Sequence, residues 1–371
     1  MRVLVLNPGS SSLKASLVEL PGDRVTGSAE ADWGSDATTH ADHSADVARL
    51  AREVGAADPE PDAVGYRVVH GGERYRSPTL VDDDVIAVIA AMAELAPLHN
   101  TIAAETIRAG RDRFPRLPHV ACFDTAFHAT LPPEAARYAL PPDWVERWAL
   151  RRYGFHGLSV EWAVARAGEL LQGPRHDLRL VVAHLGSGCS VTAVREGRSV
   201  ATSMGFTPLE GMVMGTRAGS VDPGILLHLL REGLSVANLG AGLEHRSGLL
   251  GLSGRTGSVR DLEAASAAGD AAADEALAVF SASAAAWIAA MATGLDRLDA
   301  LVFTGGIGEH SRLVRAAVCR RLKVLGVPAP AEVAGDHDAV LSRPGQRPAV
   351  LRIAAREELT IARGVATALG G

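Results

Sequence analysis

Short apolar runs rich in Val, Leu and Ile alternate along the chain with longer Ala-rich stretches in which apolar positions recur with helical spacing. This alternation is typical of an α/β protein, in which helices cover mixed or parallel sheets. The apolar runs predict strands at residues 3–6, 15–19, 64–70, 120–123, 180–184, 191–195 and 300–304. The amphipathic stretches predict helices at residues 85–95, 102–114, 160–171, 225–231, 271–295 and 312–325.

One pattern occurs twice. Residues 3–20 (VLVLNPGSSSLKASLVEL) and 181–197 (VVAHLGSGCSVTAVREG) each combine a strand, a Gly/Ser turn and a second strand. Because the two copies lie far apart, they indicate a duplicated domain and not a solenoid of short period. Between them, residues 131–144 (LPPEAARYALPPDW) hold two Pro-Pro pairs that can continue neither a helix nor a strand, so we expect a domain boundary there. A length of 371 residues also suits two domains.

The charge balance narrows the class of protein. The chain carries 43 acidic and 37 basic residues, for a net charge of −6, which argues against a nucleic-acid binder that uses a broad basic face. A hydrophobic content of 47% is typical of globular order. Only two of the basic residues are lysines, Lys14 and Lys323.

Other features favour a cytoplasmic protein. The three cysteines, Cys122, Cys189 and Cys319, are too few and too widely spaced for a disulfide framework. The apolar run in MRVLVLNPGS is too short for the core of a signal peptide. Residues 276–295 carry no charge, but most are Ala, Ser, Thr or Gly, which gain little from hydrocarbon. We therefore expect a buried helix there and no membrane association.

The first Gly/Ser turn contains several groups that could bind phosphate. Its hydroxyls, backbone N–H groups and cation come from Asn7, Ser10, Ser12 and Lys14 and their neighbours. A plain hairpin explains the same residues equally well. The Walker pattern and GxGxxG are both absent, and the SxxK match at residues 11–14 lacks the SDN and KTG tripeptides of acyl-serine enzymes.

Three further glycine-rich turns follow predicted strands: VHGG at residues 69–72, HLGSG at 184–188 and TGGIG at 304–308. The last leads into a helix that we expect to begin near Ser311, where free N–H groups favour an anion. One such turn is usually structural, but four in one chain indicate a cleft for nucleotide phosphates.

Several polar residues interrupt apolar segments, namely Arg67, Asp124, His156 and Arg217. A buried ion pair such as Arg67–Asp124 suits a structural role as well as a catalytic one, and both interpretations stay open.

The sequence favours oxygen ligands over histidine for a metal. His99 and His128 are interpreted as packing histidines, and HExxH is absent. Asp124, Asn7 and Glu357 would suit Mg²⁺, which is usually held by one or two carboxylates, waters and substrate phosphates.

The motifs NPGSSSLK, GYRVVHGGERY, LAPLHN, FDTAFHATLP, RRYGFHGLSV, HLGSGCSV, SMGFTPLEGMVMGTRAGSVDPG, SGLLGLSG, FTGGIGEHS and REELTIAR closely resemble those of the acetate kinase family, which includes propionate and other short-chain carboxylate kinases. They occur in the family's order from Val3 to about Arg363. The resemblance implies an α/β fold of two duplicated actin/hexokinase-like (ribonuclease H-like) domains around a nucleotide cleft. The N-terminal domain would comprise residues 1–128 and 360–371, and the C-terminal domain residues 129–359. It also implies that residues 361–369 pack with the first domain, and that a homodimer forms through the second, with residues 276–295 as a contributor.

The activity that the resemblance implies is reversible, Mg²⁺-dependent phosphoryl transfer from ATP to acetate, which gives acetyl phosphate and ADP by direct in-line transfer. Mn²⁺ is the alternative ion, and propionate or butyrate the alternative acceptor. A non-catalytic nucleotide sensor of the same fold is the alternative from another class, but the retention of Arg67, Asp124, His156 and Arg217 argues against it.

Residue by residue, the resemblance implies the following roles. The catalytic set is Asp124, Arg67, Arg217 and His156. The acyl pocket comprises Arg67, Val69, Leu98, Phe155 and Pro208. Phosphate and nucleotide binding falls to Ser10, Ser12, Lys14, His184, Gly186, Ser187, Gly188, Ser258, Val259, Arg260, Gly305, Gly306, Ile307, Gly308 and His310. The metal-linked residues are Asn7 and Glu357, with Glu358 as the alternative register.

Three departures from the family pattern fall near the nucleotide. Ser187 replaces Asn in the phosphate loop, Ser258-Val259-Arg260 replaces an Asp-Met/Phe-Arg triplet, and His310 replaces Asn. We expect ATP to remain the donor, with an altered nucleotide preference or a weaker KM as the alternative.

Overall fold

The computed structural model describes residues 1–9, 12–33, 42–56, 58–94, 97–174 and 176–370. The chain divides into two compact units. The first comprises Met1–Ala129, Phe155–Trp162 and Arg356–Gly371, and the second Thr130–Gly154 and Ala163–Ala355. The two domains expected from the sequence stay a prediction; the units differ from them in giving residues 129, 155–162 and 356–359 to the first unit.

The first unit is built on a six-stranded mixed sheet. Its strands are β1 (Arg2–Pro8), β2 (Ser12–Glu19), β3 (Arg24–Asp32), β4 (Ala63–Val68), β5 (Thr79–Leu80) and β6 (His119–Phe123). Their order in the sheet is β3-β2-β1-β4-β6-β5. The first three strands form an antiparallel meander, whereas β1, β4 and β6 are parallel, so their carboxyl ends meet at one edge of the sheet.

Helices cover this sheet. They are α1 (His43–Glu53), α2 (Asp83–Ala91), α3 (Pro97–Arg113), the start of α6 (Gly157–Leu170) and α14 (Glu357–Ala368). The C-terminal α14 packs on β1, β4 and β6, as expected from the sequence. It comes close because β4 presents Gly65 to it: a Cβ there would lie 2.7 Å from Val365 and 2.8 Å from Ile361.

The second unit repeats the plan with β7 (Arg179–Leu185), β8 (Cys189–Arg195), β9 (Arg198–Thr202), β10 (Ala300–Thr304), β11 (Ala339–Val340) and β12 (Ala349–Arg352). The order β9-β8-β7-β10-β12-β11 matches that of the first sheet strand for strand. The predicted duplication and α/β class are therefore confirmed. The fully buried strands β6 and β10 read as continuous apolar runs, because both of their faces are covered.

The helices of the second unit are α4 (Pro133–Ala136), α5 (Pro142–Trp148), the rest of α6, α7 (Pro223–Arg231), α8 (Val236–His245), α9 (Gly248–Ser253), α10 (Val259–Ala267), α11 (Ala271–Ala292), α12 (Gly305–His310) and α13 (Arg312–Arg321). Among the helices described, α11 is long and apolar enough to cross a bilayer, a criterion that core helices also meet. It packs on β7, β8, α9, α10 and α13, and seven of its residues are buried.

Candidate functional site

The first unit gathers four polar side chains at the carboxyl edge of its sheet. Asn7 lies near the end of β1, Arg67 near the end of β4, Asp124 just after β6, and Glu357 at the first turn of α14. Arg67 donates to Asp124 at 2.7 Å from one terminal nitrogen and at 3.2 and 3.3 Å from Nε. Asn7 donates its amide N–H to Glu357 at 2.9 Å and accepts from Arg67 at 3.4 Å. Glu357 lies 3.7 Å from Arg67.

This cluster holds two carboxylates against one guanidinium. The side chain of Asp124 is 1% exposed, and that of Glu357 is 14% exposed. Burial raises the pKa of Asp124 to about 6, and the negative charge of Glu357 adds to the rise, while Arg67 opposes it. The two carboxylates also hold the pKa of Arg67 above its usual value although burial disfavours its charge. When both carboxyl groups are ionised, the four side chains of this cluster together carry a net charge of −1.

The chemistry of the cluster fits a hard divalent cation. Two carboxylates and an amide oxygen are the ligand types that Mg²⁺ accepts, and surplus negative charge favours such an ion. Among the residues that the structure describes, no group of three or more His, Cys, Asp or Glu side chains is spaced to hold a metal without outside ligands. Of the two registers considered for the glutamate, Glu357 contacts Asn7 and Arg67. The pKa of Glu358 is instead raised by burial.

A strained turn brings His156 beside the cluster. His156 has a φ of 60°, a left-handed conformation that few residues other than glycine adopt. Its backbone N–H donates to the carboxylate of Asp124, and the next N–H, that of Gly157, donates to the Asp124 carbonyl at 2.9 Å. A Cβ at Gly157 would lie 2.1 Å from that carbonyl oxygen, so only glycine fits.

Two predicted acyl-pocket residues of this unit are buried, Val69 at 5% exposure and Phe155 at 1%. The ring of His70 packs edge-on against Phe155 with 5.4 Å between the centroids. His128, interpreted as a packing residue, shares a 3.0 Å hydrogen bond with the Phe155 carbonyl through Nε2, and burial lowers its pKa to about 4. The side chain of Leu98 lies outside the described part of the structure.

The first phosphate turn is shorter than the sequence predicted. Asn7 and Lys14 are paired neighbours on β1 and β2, because the strands continue to Pro8 and from Ser12. Gly9 closes the turn by donating to the Ser12 carbonyl at 2.7 Å. Lys14 is exposed, and Ser10 lies outside the described residues. The expectation that all these groups share a loop is therefore wrong for Asn7, Ser12 and Lys14, which are strand residues.

In the second unit, a cavity of about 700 Å³ collects most of the predicted nucleotide residues. Its walls include Gly186, Ser187, Ser258, Val259, Arg260, Gly306, Ile307 and His310. A Cβ at Gly306 would meet nothing within 4 Å, so the space beside this backbone is open. The cavity has the size of a small-molecule site.

Four predicted nucleotide residues of the second unit do not line this cavity: His184, Gly188, Gly305 and Gly308. Gly305 has a φ of +75°, and a Cβ there would lie 2.8 Å from the Leu185 carbonyl oxygen, which indicates a packing role. The helix expected to begin near Ser311 is present as α13, and a further short helix, α12, precedes it. Residues 305–310 are already helical, and Ser311 caps the next helix by accepting from Val314 at 3.0 Å.

The structure describes the surroundings of the three positions at which the chain departs from the family pattern. Ser258 caps α10 by accepting from Asp261 at 3.3 Å, while Arg260 is 93% exposed in its side chain. His310 is 58% exposed and lies 3.5 Å from Asp336. Ser187 is exposed, and its carbonyl accepts from Gly215 at 3.1 Å.

Arg217 and Pro208 form the remaining part of the predicted set. The only hydrogen bond that the Arg217 side chain makes with the described residues goes to the Pro208 carbonyl at 3.3 Å. No carboxylate of the described chain lies within ion-pair distance of it. Burial lowers its pKa, although Glu244 partly opposes this shift. Arg217 is thus a partly desolvated cation with N–H donors left over, whereas Arg67 is already engaged by two carboxylates.

Sequence reasoning missed several residues at these sites. In the first unit, the buried Asn100 bonds both the N–H and the carbonyl of His70, at 3.1 and 2.9 Å, and so fixes the loop after β4. A polar residue inside the apolar motif LAPLHN was the available signal. In the second unit, the cavity also takes in Gly215, Thr216, Gly257, Glu263 and Ser311.

Comparisons with known proteins agree with this arrangement. Residues 2–363 match the sequence profile of the Acetokinase family. An acetate kinase of Deinococcus radiodurans is 46% identical over 100% of this chain and 99% of its own length. The crystal structure of Porphyromonas gingivalis acetate kinase superposes with a TM-score of 0.88 at 33% identity, covering 99% of both chains. That of a propionate kinase from Francisella tularensis gives 0.87 at 34% identity, covering 98% of both chains. With the profile matched over nearly its whole length, the chain belongs to the acetokinase family of carboxylate phosphotransferases.

Proposed function

We propose that this chain catalyses reversible phosphoryl transfer from ATP to acetate, which gives acetyl phosphate and ADP. The observation that carries the proposal is the buried cluster of Asn7, Arg67, Asp124 and Glu357 in a chain that belongs to this family. One guanidinium shared between two carboxylates suits a site in which a metal and phosphoryl oxygens complete the charge balance.

The chemistry needs no general base. Acetate has a pKa near that of a glutamate side chain, so it is already ionised at pH 7. The barrier comes instead from the repulsion between two anions and from the charge on the equatorial phosphoryl oxygens. We assign the relief of that repulsion to Arg217 and Arg67, and charge stabilisation in the transition state to His156 and Lys14. Asp124 then serves metal or water positioning and does not remove a proton.

A divalent cation, Mg²⁺ in our proposal and Mn²⁺ as the alternative, would be held through Asp124, Glu357 and the amide oxygen of Asn7. When bound, such an ion neutralises and orients the phosphate oxygens of the donor. Arg67 keeps the carboxylate of Asp124 ionised and oriented, because it opposes the effect of burial on the pKa.

We assign the nucleotide to the cavity of the second unit. Its open backbone at Gly306 and its size support a nucleoside as occupant. The acetate methyl group would contact Val69, Phe155, Leu98 and Pro208. One additional methylene is worth only about 1–3 kcal/mol of discrimination, so we expect slower turnover of propionate and butyrate.

We further propose a cytoplasmic homodimer. The helices α7 and α8 contain no buried residue, and they expose the apolar side chains Ile225, Leu227, Leu230 and Val236. An exposed apolar patch of this kind is typical of an interface. Since α11 buries seven of its residues in the core of its own unit, α7 and α8 are better supported as the contact surface than the predicted residues 276–295.

Trapping of the acyl phosphate with hydroxylamine tests the proposal. Purified protein with Mg-ATP and acetate, propionate or butyrate should yield the hydroxamate, fastest with acetate. A lack of product with all three acceptors would contradict it. Faster turnover of propionate would move the assignment to a propionate kinase.

A further inference from the structure

In the second unit, a cluster of three hydrogen-bonded side chains holds residues 203–210, the segment that contains Pro208. Its members are Tyr138, Arg152 and Glu210. The Tyr138 hydroxyl donates to Glu210 and accepts from the backbone N–H of Phe206 at 2.9 Å. Arg152 donates to the other oxygen of Glu210 at 2.7 Å. The segment is therefore held by its own glutamate and by two residues distant in sequence.

Arg152 also holds the start of the segment. One of its terminal nitrogens donates to the carbonyls of Ser203 and Met204, both at 3.0 Å, and its guanidinium lies 5.4 Å from the centre of the Tyr138 ring. Arg152 and Glu210 are 16% and 30% exposed in their side chains, so their ion pair is partly shielded from water.

The side chains of this cluster pack directly against the backbone at Gly205. A Cβ at Gly205 would lie 1.8 Å from a Glu210 carboxylate oxygen and 2.2 Å from the Tyr138 hydroxyl. The backbone between the two anchored ends is thus fixed at Gly205, whose carbonyl also accepts from Tyr153 at 3.0 Å.

Pro208 lies between Phe206 and Glu210, the two residues that the cluster fixes. Its carbonyl accepts the one hydrogen bond that the Arg217 side chain makes with described residues. Any shift of this carbonyl therefore moves the anchor of a guanidinium that makes no ion pair with the residues the structure describes. A misplacement of about 1 Å in a group that positions substrate costs on the order of a hundredfold in rate.

We propose that Glu210, held by Tyr138 and Arg152, is a positioning residue for catalysis: it fixes the Pro208 carbonyl and through it the guanidinium of Arg217. This inference rests on the proposed function, in which Arg217 binds the reacting anions. Glu210 itself touches no substrate.

The test is a double-mutant cycle on acyl-phosphate formation by the full-length protein. Glu210→Gln keeps the size of the side chain but removes the charge that Arg152 pairs with. We expect kcat/KM for acetate to fall about tenfold, with the KM for ATP changed less than twofold. In an Arg217→Ala background, Glu210→Gln should change kcat/KM less than twofold, because the residue acts through Arg217.

The matched control is Asp338→Asn, which removes a 2.7 Å ion pair with Arg166 in the same unit. It should leave kcat/KM unchanged. Tyr138→Phe removes the hydroxyl that joins Glu210 to Phe206 and should lower kcat/KM in the same direction, so it provides the test if Glu210→Gln does not fold. A wild-type kcat/KM in Glu210→Gln, or an equal loss in the presence and absence of Arg217, would overturn the inference. An inactive wild-type protein would instead overturn the proposed function.

Discussion

The two arginines assigned to the reaction differ in what they do for the folded protein, and their removal should separate stability from activity. Arg67 makes three contacts with Asp124, at 2.7, 3.2 and 3.3 Å, and the Asp124 side chain is 1% exposed. Removing one partner of a buried ion pair costs about 3–5 kcal/mol, because the other charge stays buried without compensation. Within the described residues, the Arg217 side chain makes one hydrogen bond of 3.3 Å, which contributes about 1 kcal/mol.

We therefore expect Arg67→Ala to lose about 3 kcal/mol of unfolding free energy at pH 7, and Arg217→Ala to lose about 1 kcal/mol or less. Both should lose at least about a hundredfold in kcat/KM, the scale of one transition-state donor. Urea unfolding followed by circular dichroism measures the first quantity, and hydroxylamine trapping the second. Arg116→Ala is the matched control, since its side chain is 86% exposed and lies 3.8 Å from Glu60.

The stability lost in Arg67→Ala should depend on pH. Burial already raises the pKa of Asp124 to about 6, and removal of Arg67 takes away the group that opposes the rise. A carboxyl whose pKa is raised on folding contributes stability at low pH and loses it as the pH rises through the folded value. The cost of Arg67→Ala should thus be smaller at pH 5 than at pH 7, and Asp124→Asn in the same chain should restore much of it. A variant as stable as the wild type at pH 7 would refute the reasoning, as would an Arg217→Ala protein with full activity.

Three further predictions follow from burial, exposure and the cavity. His128 is buried with a pKa lowered to about 4, so the folded state resists its protonation, and its own contribution to the unfolding free energy should fall by about 1.5 kcal/mol between pH 6.5 and 5. In urea unfolding, His128→Asn should therefore gain stability relative to the wild type over this pH range, whereas a change at the exposed His176, His176→Asn, should not. The double variant Ile225→Asp, Leu227→Asp should be a monomer, with a molar mass by light scattering of 38.7 kDa, half that of the wild type. Leu313→Asp, at an exposed position elsewhere, should remain a dimer. A monomeric wild type would contradict the proposed interface. Initial rates at matched magnesium should be highest with ATP, compared with GTP and pyrophosphate, and an absence of ATP turnover would overturn the assigned donor.

The sequence predicted the elements whose apolar residues are continuous. The core strands β1, β4, β6, β7 and β10 carry such runs, because both faces of the parallel part of each sheet are covered. It missed β3, whose sequence RVTGSAEAD alternates exposed and half-buried positions at the sheet edge. It also missed α8, whose apolar residues are not buried within the chain, and the short buried strand β12. It predicted α7 apart from its first two residues.

The sequence likewise identified only those site residues that stand out against an apolar strand. Arg67 and Asp124 were identifiable because each interrupts or ends an apolar strand. Asn100 and Glu263 lie on helices, where a polar residue is ordinary, and only the folded chain brings them to the His70 loop and to the cavity. Arg67 pairs with two carboxylates, whereas Arg217 has no ion pair within the described part of the chain. This difference is likewise a tertiary property, since both are single arginines in glycine-containing motifs.

We propose that the phosphoryl group passes directly from ATP to the carboxylate, without a phosphorylated protein intermediate. The stereochemical course at phosphorus tests it most directly, with ATP made chiral at the γ-phosphate by oxygen isotopes and acetate as the acceptor. Because a single in-line displacement inverts the configuration at phosphorus, we expect inversion. Retention would require two successive displacements, and so a phosphorylated side chain, which would contradict it.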